Sequence, residues 1–229
     1  MNLFTSQFRN SQLLNSKAHA LIPGGCHTYA KGDDQYPLLA PGFIQRGSGC
    51  HVVDVDGNRY IEYGMGNRAV GLGHAYPPVL QAVRDALQDG CNFTRPSAIE
   101  IECAESFLEL IDGAEMVKFC KDGSDATSGA VRLARAYTGR DMIACCADHP
   151  FFSTDDWFIG TTKMNAGIPA SVSALTANFR YNDIESVKAL FDNYPGLIAA
   201  LILEPAKADE PTNNFLQEAK RIAHENGTL

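Results

Sequence analysis

The segment Lys121-Asp122-Gly123-Ser124-Asp125-Ala126-Thr127 has the residue types of an anion-binding turn. It follows a strand-like run over 115–120 (Glu-Met-Val-Lys-Phe-Cys) and leads into a helical pattern over 125–138. Glycine lets the backbone turn tightly, and the first N–H groups of a helix have no intrahelical acceptor. Gly123 and Ser124, with the Ser124 hydroxyl, would therefore point at whatever lies beyond the strand's carboxyl end and could cradle a phosphate. The same residues also read as ordinary capping by Ser124 or Asp122, and on this segment alone capping is the more economical reading. A dinucleotide turn fits less well, because no G-x-G-x-x-G follows this run and Gly64-Met-Gly66 opens no helix.

Two further groups have chemical potential. Glu204 follows the continuous apolar run Leu197–Leu203, at the edge where open α/β sheets place their ligands, so an acidic role in a site is plausible. The seven cysteines (Cys26, Cys50, Cys91, Cys103, Cys120, Cys145 and Cys146) form no C-x-x-C pair and have no companion histidine at metal spacing. They read as reduced thiols, and no metal site is expected. Cys145-Cys146 sits inside an apolar run, where buried thiols are more natural than a reactive redox pair.

The elements that must position these residues follow from periodicity. A lead helix over 7–20 ends at Pro23-Gly24-Gly25. From Phe43 to Tyr63 the pattern alternates, with Val52, Val53 and Val55 facing Tyr60 and Ile61 across Asp56-Gly57, which predicts a small antiparallel ribbon. Pro77-Pro78 opens a helix through about residue 89, and Ser97 with Glu100 makes a capping box for another through about Leu110. Strands at 115–120, 141–147, 174–180 and 197–203 then alternate with helices at 125–138, 184–193 and 214–225. The rhythm predicts an α/β, mostly parallel sheet with flanking helices. Residues 1–70 form an N-terminal segment of helix, loop and ribbon, and residues 71–229 an incomplete large domain whose next strand should begin at Thr228-Leu229. The expectation is a truncated sheet.

Composition narrows the function classes. With 45% hydrophobic and 20% charged residues, the chain has enough apolar material for a full core. A net charge of −8, with both signs mixed along the length, offers no basic stripe for nucleic acid. No run of apolar residues is long enough for a membrane span, and the N-terminus lacks the layout of a signal peptide. A cytoplasmic location is the default expectation.

The block from Phe119 through Asp122-Gly-Ser-Asp-Ala-Thr to Val131-Arg-Leu-Ala-Arg-Ala-Tyr-Thr-Gly-Arg140 resembles class III aminotransferases, fold type I enzymes that use pyridoxal 5'-phosphate (PLP). Further landmarks fall in family order: Ile22-Pro-Gly-Gly25, Asp54-Val-Asp-Gly-Asn-Arg-Tyr-Ile61, Gly73-His74 with Pro77, and Glu204-Pro205. They span essentially the whole chain and are most similar to the glutamate-1-semialdehyde 2,1-aminomutase branch. The resemblance implies that Asp122 (through its backbone), Gly123 and Ser124 hold the PLP phosphate, that Phe151 stacks on the pyridine ring, and that Glu204 lies near the cofactor. It places the Schiff-base lysine and the pyridinium aspartate beyond Leu229, so that this chain carries no catalytic residue and is inactive alone. Lys121 and Lys207 stand where the family has no such lysine and read as solvated charges.

The family usually has Ser at the position of Asp122. Two further departures bear on substrate. The aminomutases usually keep a carboxylate clamp where this chain has Thr28 and Lys31, and a tryptophan where it has Asn67, beside Arg68. Lysine keeps a positive charge without the bidentate fork of arginine. Thr28, Lys31, Asn67 and Arg68 are therefore expected to line a pocket for a different small amino or carbonyl compound. Three readings follow: part of a PLP-dependent aminomutase (an isomerase), part of a class III transaminase for an amino sugar or other amine, or a non-catalytic PLP-binding or partner protein. The full-length enzyme is expected to be a homodimer.

Overall fold

The computed structural model describes residues 8–148, 152–206 and 208–229. The chain divides into two compact units, Met1–Glu100 and Ile101–Leu229.

The first unit is organised by carboxylates. Helix α1 (Arg9–Leu21) has no capping side chain at its own N-cap, Phe8. Asp56, remote in sequence, supplies the cap: its carboxylate accepts from the N–H of Asn10 (2.7 Å), the N–H of Ser11 (2.9 Å) and the Ser11 hydroxyl (2.7 Å). Desolvation works against ionisation of Asp56, but these donors outweigh it and hold the carboxyl below its usual range. Strands β1 (Ile44–Ser48), β2 (His51–Asp54) and β3 (Arg59–Ile61) form the antiparallel ribbon in that order.

Val52 pairs with Tyr60 and Val53 with Arg59, whereas Val55 falls outside β2 and donates to Phe43 O. The turn is thus longer than a two-residue Asp-Gly hairpin. Asp54, fully buried, organises it by accepting from Asp56 N, Asn58 N, Asn58 Nδ2 and the Tyr60 hydroxyl at 2.7–3.0 Å. Burial, then the Asp54 carboxylate, pushes the Tyr60 phenol up to about 12.

After the ribbon, Met65–Arg68 (α2) is a single turn in which Met65, Gly66, Asn67 and Arg68 all have positive φ. It is not the helix of a dinucleotide turn. Helices α3 (Pro77–Gln88) and α4 (Ala98–Leu108) follow, the former opened by its prolines. At the start of α4 the Ser97 N–H donates to the Glu100 carboxylate at 2.9 Å, which is one half of the capping box.

The second unit contains a parallel sheet in the order β5–β4–β6, with β4 at Met142–Cys146, β5 at Thr176–Phe179 and β6 at Ile198–Ile202. Every residue of β4 is buried, as the middle strand of a sheet covered on both faces must be. Its side chains alternate. Met142, Ala144 and Cys146 pack with Val187, Leu190 and Phe191 of α8 (Ile184–Asn193) and with Phe215, Ala219, Ile222 and Ala223 of α9 (Phe215–Glu225). Ile143 and Cys145 pack on the other face with Val131 and Ala134 of α5 (Gly123–Thr138) and with Trp157 and Phe158 of α6 (Asp156–Ile159). A one-turn helix, α7 (Ala170–Ser173), precedes β5. Both cysteines of the pair are buried, and burial, with Cys146 adjoining, pushes the Cys145 thiol up to about 12.

Leu229 N–H donates to Ala199 O and Leu229 O accepts from Leu201 N, the hydrogen-bond pattern of a parallel neighbour to β6. Next to this pairing, at the amino end of β6, the Arg140 guanidinium donates to Ile198 O, Asn226 O and Thr228 Oγ1 at 2.8–3.2 Å.

The strand expected over 115–120 is not formed. These residues carry no regular secondary structure, and Met116 is 90% exposed. A strand exists only through a neighbour's N–H and C=O groups, and none of β4, β5 and β6 pairs with this segment. The following helix nevertheless begins as a capped element, at Gly123.

Candidate functional site

The start of α5 is built from its cap inward. Asp122 has extended backbone (φ −149°, ψ −179°), and its carboxylate accepts from Asp125 N at 3.0 Å. Of the first-turn amides, the N–H groups of Gly123 and Ser124 then have no acceptor among the described residues. The Ser124 hydroxyl accepts from the Thr154 N–H at 3.1 Å, which fills one lone pair and leaves its proton to donate.

That last contact belongs to a larger junction between α5 and the loop leaving the carboxyl end of β4. The Thr127 hydroxyl lies 3.0 Å from Phe152 O and also near the carbonyls of Gly123 (3.0 Å) and Ser124 (3.1 Å). The Ser128 hydroxyl donates to the Asp155 carboxylate, accepts from Trp157 Nε1 at 2.9 Å and lies 3.3 Å from Ser153 Oγ. Ser153 is fully buried and accepts from Asp155 N at 3.0 Å. Phe152 meets Phe158 edge to face at 5.6 Å, and Phe158 meets Trp157 at 5.8 Å. The loop is therefore fastened to the first two turns of α5 by side chains from both partners.

Of the residues singled out from sequence, Asp122, Gly123 and Ser124 form this helix start. Phe151 and Lys207 lie outside the described residues. Glu204 is half-buried, two residues past β6, and so lies at the same carboxyl edge of the sheet as the β4 loop. Also at that edge, a cavity of about 500 Å³ is lined by Asp148, Tyr181, Asn182, Ala208, Asp209, Glu210 and Thr212. Among the described residues, none of the cofactor residues expected from sequence lines it.

Asp148 accepts from Arg180 Nη1 (3.2 Å) and Tyr181 N (2.9 Å), and Asn182 bridges Glu210 O and Thr212 N. The cavity is therefore walled by loops tied to one another. Burial first, then the nearby Glu210, Cys146 and Asp209, raises the Tyr181 phenol, whose hydroxyl donates to Pro205 O at 2.7 Å.

In the first unit, Thr28 precedes a single 3₁₀ turn that ends at Lys31, and both are exposed. Asn67 (φ 58°) and Arg68 (φ 71°) are exposed in the positive-φ turn. Among the described residues no hydrogen bond or ion pair joins Thr28 or Lys31 to Asn67 or Arg68. Beside the second pair, Glu62 and His74 form a close ion pair. His74 also exchanges both backbone hydrogen bonds with Gly49.

Sequence reasoning missed the fastening of the β4 loop by Ser128, Asp155 and Trp157. The one local trace was Ser153-Thr154-Asp155-Asp156 ahead of Trp157-Phe158, a run of capping residues before apolar ones. Nothing local shows that Ser128 is their partner. Among the described residues, no three His, Cys, Asp or Glu side chains gather as metal ligands, and no helix is long and apolar enough to cross a membrane.

Comparison with known proteins places this geometry in a family. The profile of "Aminotransferase class-III" matches residues 29–229. Glutamate-1-semialdehyde 2,1-aminomutase of Chloroflexus aurantiacus is 34% identical over the whole chain, which covers 54% of that relative. The enzyme of the same name from Acetivibrio thermocellus is 35% identical over 96% of the chain and 54% of its own length.

Among solved structures, the FumI protein of Sphingopyxis sp. MTA144, solved with PLP, matches with a TM-score of 0.88 and 31% identity, over 96% of this chain and 54% of that one. An omega-transaminase from Sphaerobacter thermophilus matches with a TM-score of 0.87 and 26% identity, over 97% and 55%. The chain spans about half the length of the relatives it matches. Its α/β architecture is that of the large domain of fold type I transferases, and the chain belongs to the class III aminotransferase family.

Proposed function

We propose that this chain contributes the phosphate-holding part of a PLP-dependent aminomutase or aminotransferase. The observation that carries the reading is the donor set at the start of α5: two backbone N–H groups without acceptors and one hydroxyl whose proton is available. All three are donors at the positive end of a 16-residue helix, which fits the acceptor-only oxygens of a phosphate monoester. Gly123 and Ser124 would hold the phosphate through their N–H groups, and Ser124 also through its hydroxyl. Thr154 N–H, by occupying the other side of that hydroxyl, orients its proton outward. The Ser128–Asp155–Trp157 junction holds the loop that follows Phe151, the ring expected to stack on the pyridine. Glu204 stands ready at the same sheet edge. When bound, PLP supplies an electron sink for moving an amino group.

No lysine of this chain is proposed to anchor the cofactor. The relatives' names favour the aminomutase reaction, an amino shift within one small molecule. A transaminase for an amino sugar or other amine is the second reading, and the exchange of the expected carboxylate clamp for Thr28 and Lys31 favours it. We place the whole protein in the cytoplasm as a homodimer. Binding of pyridoxamine 5'-phosphate to the chain, and its loss in Ser124→Ala, tests the phosphate site. In the whole enzyme, turnover of glutamate-1-semialdehyde against a panel of amines separates the two reactions.

A further inference from the structure

The donors at the start of α5 share their place with an acceptor that the chain itself provides. The Asp122 carboxylate is fixed on Asp125 N, in the same first turn that offers Gly123 N–H and Ser124 N–H. Asp125 adds a second acidic side chain to that turn, and among the described residues neither aspartate is in an ion pair. A serine or asparagine would cap the same N–H without a charge. A carboxylate there both occupies the positive end of the helix and repels an incoming anion.

We infer that Asp122 is a specificity-determining residue that competes with a bound phosphate for the helix N-terminus, so that the wild-type chain holds phosphorylated pyridoxyl compounds weakly. This rests on the reading of Gly123 and Ser124 as the PLP phosphate site. Asp122→Asn keeps the cap and removes the charge, and Asp122→Ser also supplies a donor. The probes are pyridoxamine 5'-phosphate and unphosphorylated pyridoxamine, titrated into the 229-residue chain by calorimetry. Trp157, the sole tryptophan and hydrogen-bonded to α5, gives a fluorescence readout in parallel.

Both variants should bind pyridoxamine 5'-phosphate about tenfold more tightly than wild type, a gain of ~1.4 kcal/mol, while affinity for pyridoxamine stays within roughly twofold. Circular dichroism should show unchanged helix content. Equal affinity of wild type and both variants, with Ser124→Ala still weakening binding, would overturn the role of Asp122 and leave the phosphate site standing. An equal gain for both probes would also overturn it, since the effect would not be one of charge. Absence of binding by every form, Asp122→Asn included, would overturn the phosphate site itself and this inference with it.

Discussion

The start of α5 and the exposed turns at 28–31 and 65–68 are made by opposite means. Around α5, Ser128 bonds the side chains of Asp155 and Trp157 while Ser124 and Thr127 bond the main chain at Thr154 and Phe152, all between residues 25 to 30 positions apart. Behind them lies a packed core containing Trp157 and Phe158. In the other region, Lys31 and Arg68 are exposed and Met65 to Arg68 hold positive φ, a conformation L-residues other than Asn adopt only at a cost. The helix start proposed to hold the cofactor is therefore fastened by side-chain hydrogen bonds and backed by a packed core. In the turns expected to read the substrate the side-chain ties are short-range: the Tyr36 hydroxyl donates to Ala30 O and the Cys26 thiol to Thr28 O.

That contrast predicts how each region responds to substitution. The largest effect should come from Trp157→Ala, which empties a buried aromatic position and removes the partner of Ser128, at a cost of about 3–5 kcal/mol in denaturant unfolding. Arg140→Met should follow at about 2–3 kcal/mol, through the carbonyls of Ile198 and Asn226 that lose their charged donor. Ser128→Ala should cost about 1–3 kcal/mol by leaving the buried Trp157 indole N–H without its acceptor. In the exposed turns Lys31→Ala should fall within about 0.5 kcal/mol of wild type. Met65→Gly should raise stability by up to about 1 kcal/mol, because glycine takes positive φ freely. A loss at Met65→Gly as large as that at Ser128→Ala would erase the distinction between the two regions.

A smaller effect concerns acid. Asp56 is held below its usual carboxyl range in the folded chain, so its contribution is fully present above the unfolded value of 3.8 and is lost as pH falls through the lower folded value. The helical signal of α1 should weaken over that interval, and Asp56→Asn should remove the pH dependence while loosening α1 at neutral pH. A nuclear magnetic resonance titration of Asn10 and Ser11 amides reads this directly. Treatment with PLP and borohydride should give no stoichiometric adduct at a single lysine; one dominant labelled lysine would contradict the assignment of the lysines.

What could be read in the sequence was what short-range pattern dictates. The apolar runs Met142 to Cys146 and Leu197 to Leu203 foretold strands of a parallel sheet, the prolines at 77–78 marked a helix start, and Asp122-Gly-Ser marked another. The run 115–120 has the same apolar look as β4 but gained no partner, and pairing is a property of two segments. Asp54 and Asp56 resembled ordinary turn residues; their work as buried hub and remote helix cap depends on contacts made across the fold. The junction of Ser128 with Asp155 and Trp157 was invisible for the same reason. Thr28, Lys31, Asn67 and Arg68 were singled out from a family pattern, and among the described residues no hydrogen bond or ion pair joins the first two to the second two.

The central claim is that the start of α5 receives the phosphate of PLP. Amide shift mapping of the isotope-labelled chain during titration with pyridoxamine 5'-phosphate tests it most directly. The account predicts that the largest saturable shifts occur at Gly123, Ser124 and Thr154, and that Ser124→Ala diminishes them. Saturable shifts confined to other residues, for instance those around the cavity at Asp148 and Tyr181, would contradict it.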